Sequence, residues 1–252
     1  MRNSRRLPEG KFESDINLGD RIVPLVARVN RRAKRLIVKV DSVEGRVLVT
    51  APSKRAIAEA VRFAGERAPW IRARLDEAAP ARPFVDGGVC PYRGVLHTIR
   101  CEGSSRALVR VDADPPSIRV GGEPVHVNRR MVDWLRREAR AALSERAQAH
   151  AAQLGKKIRR IQIRDTRSRW GSCSRDGALS FSWRLILAPP SILDYVAAHE
   201  CAHLLHLNHS LAYWRVLAGL GVDERAARAW FEENGAALHA WGAFRPAPRR
   251  AA

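Results

Sequence analysis

The sequence predicts an α+β fold with a β-rich N-terminal half and a C-terminal half built mainly from helices. Short β-branched runs bounded by turn residues dominate the first half, and stretches with apolar residues at helical spacing dominate the second. The chain has 252 residues, 46% of them hydrophobic, which is enough for a sizeable core. We expect a flexible basic arm at 1–20 and a β-rich lobe at 21–125. A second lobe should follow at 126–245, and a basic tail at 246–252.

The β-rich lobe begins with "LIVKV" (36–40) and "RVLVT" (46–50), which flank "DSVEG" and predict a hairpin. A helical stretch follows from Pro52 to about Ala79, and Pro69 is expected to kink or split it. Three further runs between turn residues predict strands at 95–101, 107–111 and 117–120.

The second lobe is predicted to begin with a long helix that Asn128 caps and that ends near Leu154. "IQIRD" predicts a strand, and "RWGSCS" and "ALSFSWRLI" flank a turn at Asp176-Gly177, which indicates a hairpin. The spacing Ser191-x-x-Asp194 is typical of a capping box, so the next helix should begin there. Two more helices should begin at caps, namely Ser210 and Asp223.

The most informative stretch is "HECAHLLHLNH" at 199–209, which holds four of the eight histidines. His199 and His203 are four residues apart, so on a helix they share one face at about 6 Å along the axis and can bind one ion. Glu200 points along the flank of that helix, where it can reach a water molecule but not the metal. This division of roles, with two histidines for the metal and one glutamate for a water molecule, is the physical basis of the H-E-x-x-H motif.

A catalytic zinc site needs a third protein ligand, and two histidines are candidates. In a continuous helix His206 lies roughly 10.5 Å along the axis from His199, which is too far. His209 follows Asn208, a residue type that can turn the chain back at a helix end. We therefore predict one zinc ion per chain, bound by His199, His203 and His209, with Glu200 as the catalytic base.

The stretch that carries these residues resembles the YgjP-like metallopeptidase family, which is related to the SprT-type zincins. The matching positions are 169–174, 183–185, 195–203, 208–210 and 214, and a looser likeness includes "VNRRAKRLIVKVD" and "GRVLVTAP". The resemblance implies a zincin-like fold, in which a small mixed or antiparallel sheet packs on the active-site helix. It also implies His199, His203 and His209 as ligands and Glu200 as catalytic. Cys201 departs from the family, where leucine is commoner, and should be buried.

These observations indicate a zinc-dependent metallopeptidase whose natural substrate the sequence leaves open. Glu200 would take a proton from the attacking water and pass it to the leaving amine. Tyr213 and Arg169 are both conceivable donors to the oxyanion. The hairpin at 170–183 could present a sheet edge to an extended peptide.

Two other functions stay open because the chain is strongly basic, with a net charge of +19 and a pI of about 11.2. One is a metal-dependent nucleotide pyrophosphohydrolase that uses the same site, although the sequence lacks a Walker loop and an acidic cluster for several Mg²⁺ ions. The other is a basic nucleic-acid-binding module with structural zinc, which would have no use for Glu200. Non-specific contact of the basic surface with nucleic acid or another polyanion is compatible with each function.

Four cysteines without CxxC spacing indicate reduced thiols and a cytoplasmic protein. The N-terminus lacks the apolar segment of a signal peptide. No run approaches the roughly 18 apolar residues of a membrane span, so no membrane contact is expected.

Overall fold

The computed structural model describes residues 11–41, 44–76, 81–166, 169–243 and 249–250. The chain forms two compact units, one of residues 1–82 with 243–252 and one of residues 83–242. The lobe boundary expected at 125/126 therefore falls inside the second unit. The reason is that strands before this point share a hydrophobic core with the long helix after it, through residues such as Ile118 and Met131.

The first unit is a sheet with two helices. Its strands are β1 (Lys11–Asn17), β2 (Arg21–Val29), β3 (Ile37–Asp41) and β4 (Arg46–Ala51), and its helices are α1 (Ile57–Glu66) and α2 (Ala68–Asp76). The strand order is β1-β2-β4-β3, and Arg249–Arg250 adds a short strand to β2. Alternate residues of β2, such as Leu25 and Ala27, are buried on the core side, as the period of a strand requires.

Several expectations concern this unit. The β3–β4 pair is antiparallel, which confirms the predicted hairpin, and the helical stretch is split between Glu66 and Ala68, next to Pro69. Within the arm predicted at 1–20, Lys11–Asn17 forms a strand that pairs with β2 along its whole length. Residues 1–10, 246–248 and 251–252 of the predicted arm and tail lie outside the described residues.

The second unit contains a four-stranded sheet and a three-stranded sheet. The first comprises β5 (Val89–Tyr92), β6 (Val95–Cys101), β7 (Arg110–Ala113) and β8 (Pro116–Val120), in the order β5-β6-β8-β7. Its central pair is parallel and both outer pairs are antiparallel, which repeats the topology of the first unit. The amino-acid sequence shows no corresponding repeat, so the two sheets share topology and not residues.

The rest of the second unit consists of helices around the smaller sheet. The elements are α3 (Val127–Gln153), β9 (Arg160–Arg164), β10 (Gly171–Cys173), β11 (Ala178–Ser182), α4 (Pro190–Ala202), α5 (Leu211–Gly219) and α6 (Glu224–Leu238), with a 3-10 turn at Trp183–Leu187. Strand order is β10-β11-β9, antiparallel and then parallel.

The predicted α+β class is confirmed. Within the described residues no helix combines the length and apolar character that a membrane span needs.

The tip of the β5–β6 hairpin supports the segment that leads into α4. Arg93 and Gly94 both have positive φ, and the backbone N–H of Arg93 donates to the carbonyl oxygen of Ile186 over 2.9 Å. A β-carbon on Gly94 would lie 3.0 Å from Pro189, so only glycine fits this approach without strain. The hairpin thereby helps to fix where α4 begins.

Two predicted helix caps are wrong. α3 begins at Val127, and the side chain of Asn128 accepts a hydrogen bond from the backbone N–H of Phe84 instead. α4 begins at Pro190 without a side-chain cap, and Asp194 binds Arg146 and His150 of α3.

The caps of the two later helices are confirmed. Ser210 accepts a hydrogen bond from the backbone N–H of Tyr213, and Asp223 accepts one from Ala226. From its cap at Asp223, α6 continues to Leu238.

Candidate metal centre and active site

The helix that carries the H-E-x-x-H motif ends earlier than the sequence suggests. α4 ends at Ala202, and His203 is its C-cap. Among the described residues Arg93 is the only non-glycine residue with positive φ, so the expected left-handed turn at Asn208 is not formed. A tight turn instead follows His203, in which Leu204 donates to the carbonyl oxygen of Cys201. The turn thus lies between the end of α4 and His209.

The structure brings His199, His203 and His209 together. One nitrogen atom of each lies within 4.8 Å of the others, and the Nε2 atoms of His199 and His209 are 3.3 Å apart. Two nitrogen ligands on a tetrahedral zinc ion, with bonds of about 2.0–2.1 Å, are separated by about 3.3 Å. The donor set, three imidazoles, also fits zinc. The side chains therefore fit the ion that the sequence predicts.

His206 contributes its backbone to this arrangement. The Nδ1 atom of His203 lies 2.9 Å from the carbonyl oxygen of His206, and because a carbonyl only accepts, Nδ1 carries the proton. This tautomer leaves Nε2 of His203 free to bind an ion. The imidazole of His206 is outside the cluster. The sequence contains no signal for this contact, which depends on the early end of α4.

Tyr213 packs against all three histidines of the cluster. Its ring centre lies 4.6 to 5.4 Å from those of the three histidines. Its hydroxyl group donates to the carbonyl oxygen of His199 over 3.2 Å, and its side chain is completely buried. A hydroxyl group engaged in this way does not face a substrate, which argues against Tyr213 as an oxyanion donor.

The surroundings of His199 and His203 favour the neutral form of both imidazoles. Burial lowers the pKa of His199 to about 4, and the neighbouring His203 and His209 act in the same direction. Burial also lowers the pKa of His203, although its hydrogen bond to His206 opposes the shift. Neutral imidazole is the form that binds a metal.

Glu200 lies beside the cluster but outside the group of possible ligands. Its side chain is 5% exposed, and burial raises its pKa to about 8, while the positive charge of Arg169 acts in the opposite direction. A bound cation nearby would favour the ionised carboxylate. Cys201, the next residue, is buried with its Sγ atom 3.3 Å from the carbonyl oxygen of Ala147, as the sequence suggested.

An open cavity of about 410 Å³ adjoins His199 and Glu200. It is lined by Arg169, Trp170, Gly171, Tyr195, Val196, His199, Glu200, Arg228, Phe231 and Glu232. Trp170 stacks on Phe231 with ring centres 5.2 Å apart. Sequence reasoning missed Arg228 and Phe231, because no local motif marks them and α6 reaches the site only through tertiary packing. Tyr195 lies within the matching stretch 195–203, but sequence reasoning assigned it no role.

Comparisons with known proteins show the family of the chain. Residues 34–234 match the family described as YgjP-like, metallopeptidase domain. Among solved structures, the metallopeptidase zymogen of Pyrococcus abyssi abylysin is similar at 20% identity with a TM-score of 0.33, covering 37% of this chain and 92% of that chain. No curated protein matches the chain significantly. Nothing in these comparisons supports contact with nucleic acid. Because the family match extends over most of the sequence, the chain belongs to the YgjP-like metallopeptidase family, and so to the metal-dependent peptidases, which are hydrolases that act on peptides.

Proposed function

We propose that the protein is a zinc-dependent metallopeptidase with a zincin-like catalytic lobe. His199, His203 and His209 bind one zinc ion, and Glu200 is the general base. The observation that carries the proposal is the convergence of three imidazoles beside a buried carboxylate, at the edge of an open cavity.

In this proposal the metal and each side chain of the site have separate chemical roles. When bound, zinc supplies a Lewis acid that activates water and polarises the scissile carbonyl group. Glu200 takes the proton of the attacking water molecule and passes it to the leaving amine as the peptide bond breaks. Arg169 remains a candidate donor to the oxyanion, because it lines the same cavity and its charge acts on Glu200.

The backbone of β10 offers a place for the substrate chain. The carbonyl oxygen of Trp170 accepts from the N–H of Ser182, and the N–H of Ser174 donates to the carbonyl oxygen of Ala178. The N–H and C=O groups of Gly171 and Cys173 therefore point to the other side. That side is the edge of the three-stranded sheet, because β10 is the last strand in its order. An extended peptide that pairs there as a further strand would pass directly beside Glu200.

The test compares zinc-loaded wild type with Glu200→Gln on two substrates, an unfolded protein and a nucleoside triphosphate. The matched control is Glu233→Gln, which changes an exposed carboxylate of α6. We expect proteolysis to fall by a factor of about a hundred or more in Glu200→Gln, the usual scale for the loss of a general base, and to persist in Glu233→Gln. Undiminished proteolysis in Glu200→Gln would disprove the mechanism. Hydrolysis of the nucleotide without proteolysis would replace the substrate class by that of a pyrophosphohydrolase.

We also place the protein in the cytoplasm. All four cysteines are free, and two of them, Cys90 and Cys201, are buried as reduced thiols. Thiols in this state are typical of a reducing compartment.

A further inference from the structure

The cavity beside Glu200 contains two arginine side chains in addition to its aromatic surface. Arg169 comes from the segment before β10, and Arg228 comes from α6. Both are exposed, so their guanidinium groups are accessible to a ligand. Neither residue belongs to the proposed metal site, and the hydrolytic mechanism gives Arg228 no role.

Arg228 is held in place from three directions. Its Nε atom forms an ion pair with Glu224 over 2.8 Å, and its guanidinium group acts on the hydroxyl group of Tyr195. The guanidinium carbon lies 5.3 Å from the ring centre of Trp214. The ion pair uses Nε and leaves further N–H donors of the guanidinium fork available. The group is therefore oriented in advance, which reduces the entropy lost when a ligand binds.

Arg228 lies close to the proposed reaction centre. It lines the same cavity as His199 and Glu200. Two acidic residues, Glu200 and Glu232, line the cavity as well. In the proposed mechanism Glu200 transfers the proton.

We propose that this cavity binds a carboxylate of the peptide substrate, which Arg228 and Arg169 recognise together. The carboxylate belongs either to an acidic side chain next to the scissile bond or to the C-terminus of the peptide. Guanidinium groups form paired hydrogen bonds with carboxylates, while the stacked rings of Trp170 and Phe231 suit the methylene groups that carry them. This inference rests on the proposed peptidase function and names its substrate class.

The first experiment measures specificity with the zinc-loaded full-length protein. Peptides with amidated C-termini are identical except for glutamate, glutamine, leucine or lysine at the first position on either side of the cleaved bond. We expect kcat/KM to be about tenfold or more higher for glutamate than for glutamine, since charge-assisted hydrogen bonds are stronger than neutral ones. A second set restores the free C-terminal carboxylate in a peptide with neutral side chains, and so separates the two sources of the carboxylate.

Variants connect the preference to the arginines. Arg228→Gln and Arg169→Gln should each reduce the ratio of kcat/KM for the preferred acidic peptide over its neutral counterpart. Arg225→Gln, which removes an exposed arginine of the same helix that does not line the cavity, should retain the ratio. Binding of the same peptides to zinc-loaded Glu200→Gln, measured by calorimetry, gives a readout that does not depend on turnover.

The outcomes distinguish the two proposals. Equal cleavage and binding of acidic and neutral peptides by the wild type would overturn the carboxylate site while the peptidase function stands. A preference that survives in both arginine variants would also overturn it. Failure to cleave any peptide or unfolded protein would overturn the peptidase function, and the carboxylate site with it.

Discussion

Glu200 lies directly against the α-carbon of Gly171, the first residue of β10. A β-carbon added to Gly171 would lie 2.6 Å from Cγ and 2.8 Å from Cδ of Glu200. Because the glutamate side chain is 5% exposed, it has little room to move away from such a contact. The absence of a side chain at position 171 is therefore what allows the carboxylate to occupy its place beside the histidines.

The first prediction concerns this contact. Gly171→Ala should displace the Glu200 carboxylate and lower kcat by a factor of about ten to a thousand, because a misplaced base transfers protons poorly. Zinc content should stay near that of the wild type, since the histidines are not touched. Steady-state kinetics measures kcat, and elemental analysis of the same samples measures the zinc content.

The control for this substitution is Gly219→Ala in α5, where an added β-carbon has no neighbour within 4 Å. Its activity should match that of the wild type. If Gly171→Ala retains full kcat, or loses its zinc together with its activity, then Gly171 does not position Glu200 in the way described.

The second prediction tests the ligand set. Alanine at His199, His203 or His209 should each remove most of the zinc, whereas His206→Ala should retain about one ion per chain, because only the backbone carbonyl oxygen of His206 takes part. Elemental analysis after gel filtration gives the stoichiometry. Loss of zinc in His206→Ala with retention in His209→Ala would reverse the assignment.

The third prediction separates two roles for Tyr213. Its hydroxyl group donates to the carbonyl oxygen of His199, so Tyr213→Phe should lower the free energy of unfolding by about 1 kcal/mol, the usual net value of one hydrogen bond. We expect kcat to change by less than about tenfold. A decrease of about a hundredfold or more, with unchanged stability, would instead be the behaviour of an oxyanion donor. Chemical denaturation and steady-state kinetics measure the two effects.

The fourth prediction concerns acid stability and the contact between α3 and α4. Burial alone would raise the pKa of Asp194, but hydrogen bonds from Arg146 and His150 together hold it below its usual value. A carboxylate with a lowered pKa contributes stability above its unfolded pKa of about 4, and this contribution is lost as the pH falls through the lower folded value. At pH 7 Asp194→Asn should cost about 1–3 kcal/mol, because it weakens bonds to Arg146 and to the buried His150.

The difference between Asp194→Asn and the wild type should therefore shrink when the pH is lowered below about 4. Unfolding by urea at a series of pH values measures it. Asp133→Asn, which alters an exposed carboxylate of α3, is the matched control and should show little change at any pH. A difference that is constant down to pH 3 would show that the charge of Asp194 is not responsible.

The sequence alone determined the features that depend on short-range spacing. The α+β class, the β3–β4 hairpin, the split near Pro69 and the caps at Ser210 and Asp223 follow from local propensity, and the structure confirms them. The common face of His199 and His203 follows from the period of the helix in the same way. Their assignment as zinc ligands remains a prediction.

Only the tertiary structure decided the features that depend on distant segments. Asp194 binds α3 and does not cap its own helix, because packing brings Arg146 and His150 to it. Gly171 lies against Glu200 because β10 packs on α4. Arg228 lines the cavity because α6 packs on α4 as well. Local periodicity encodes which face of an element is apolar, but not which element covers that face. The residues that surround the site therefore follow from the tertiary structure and not from the local sequence.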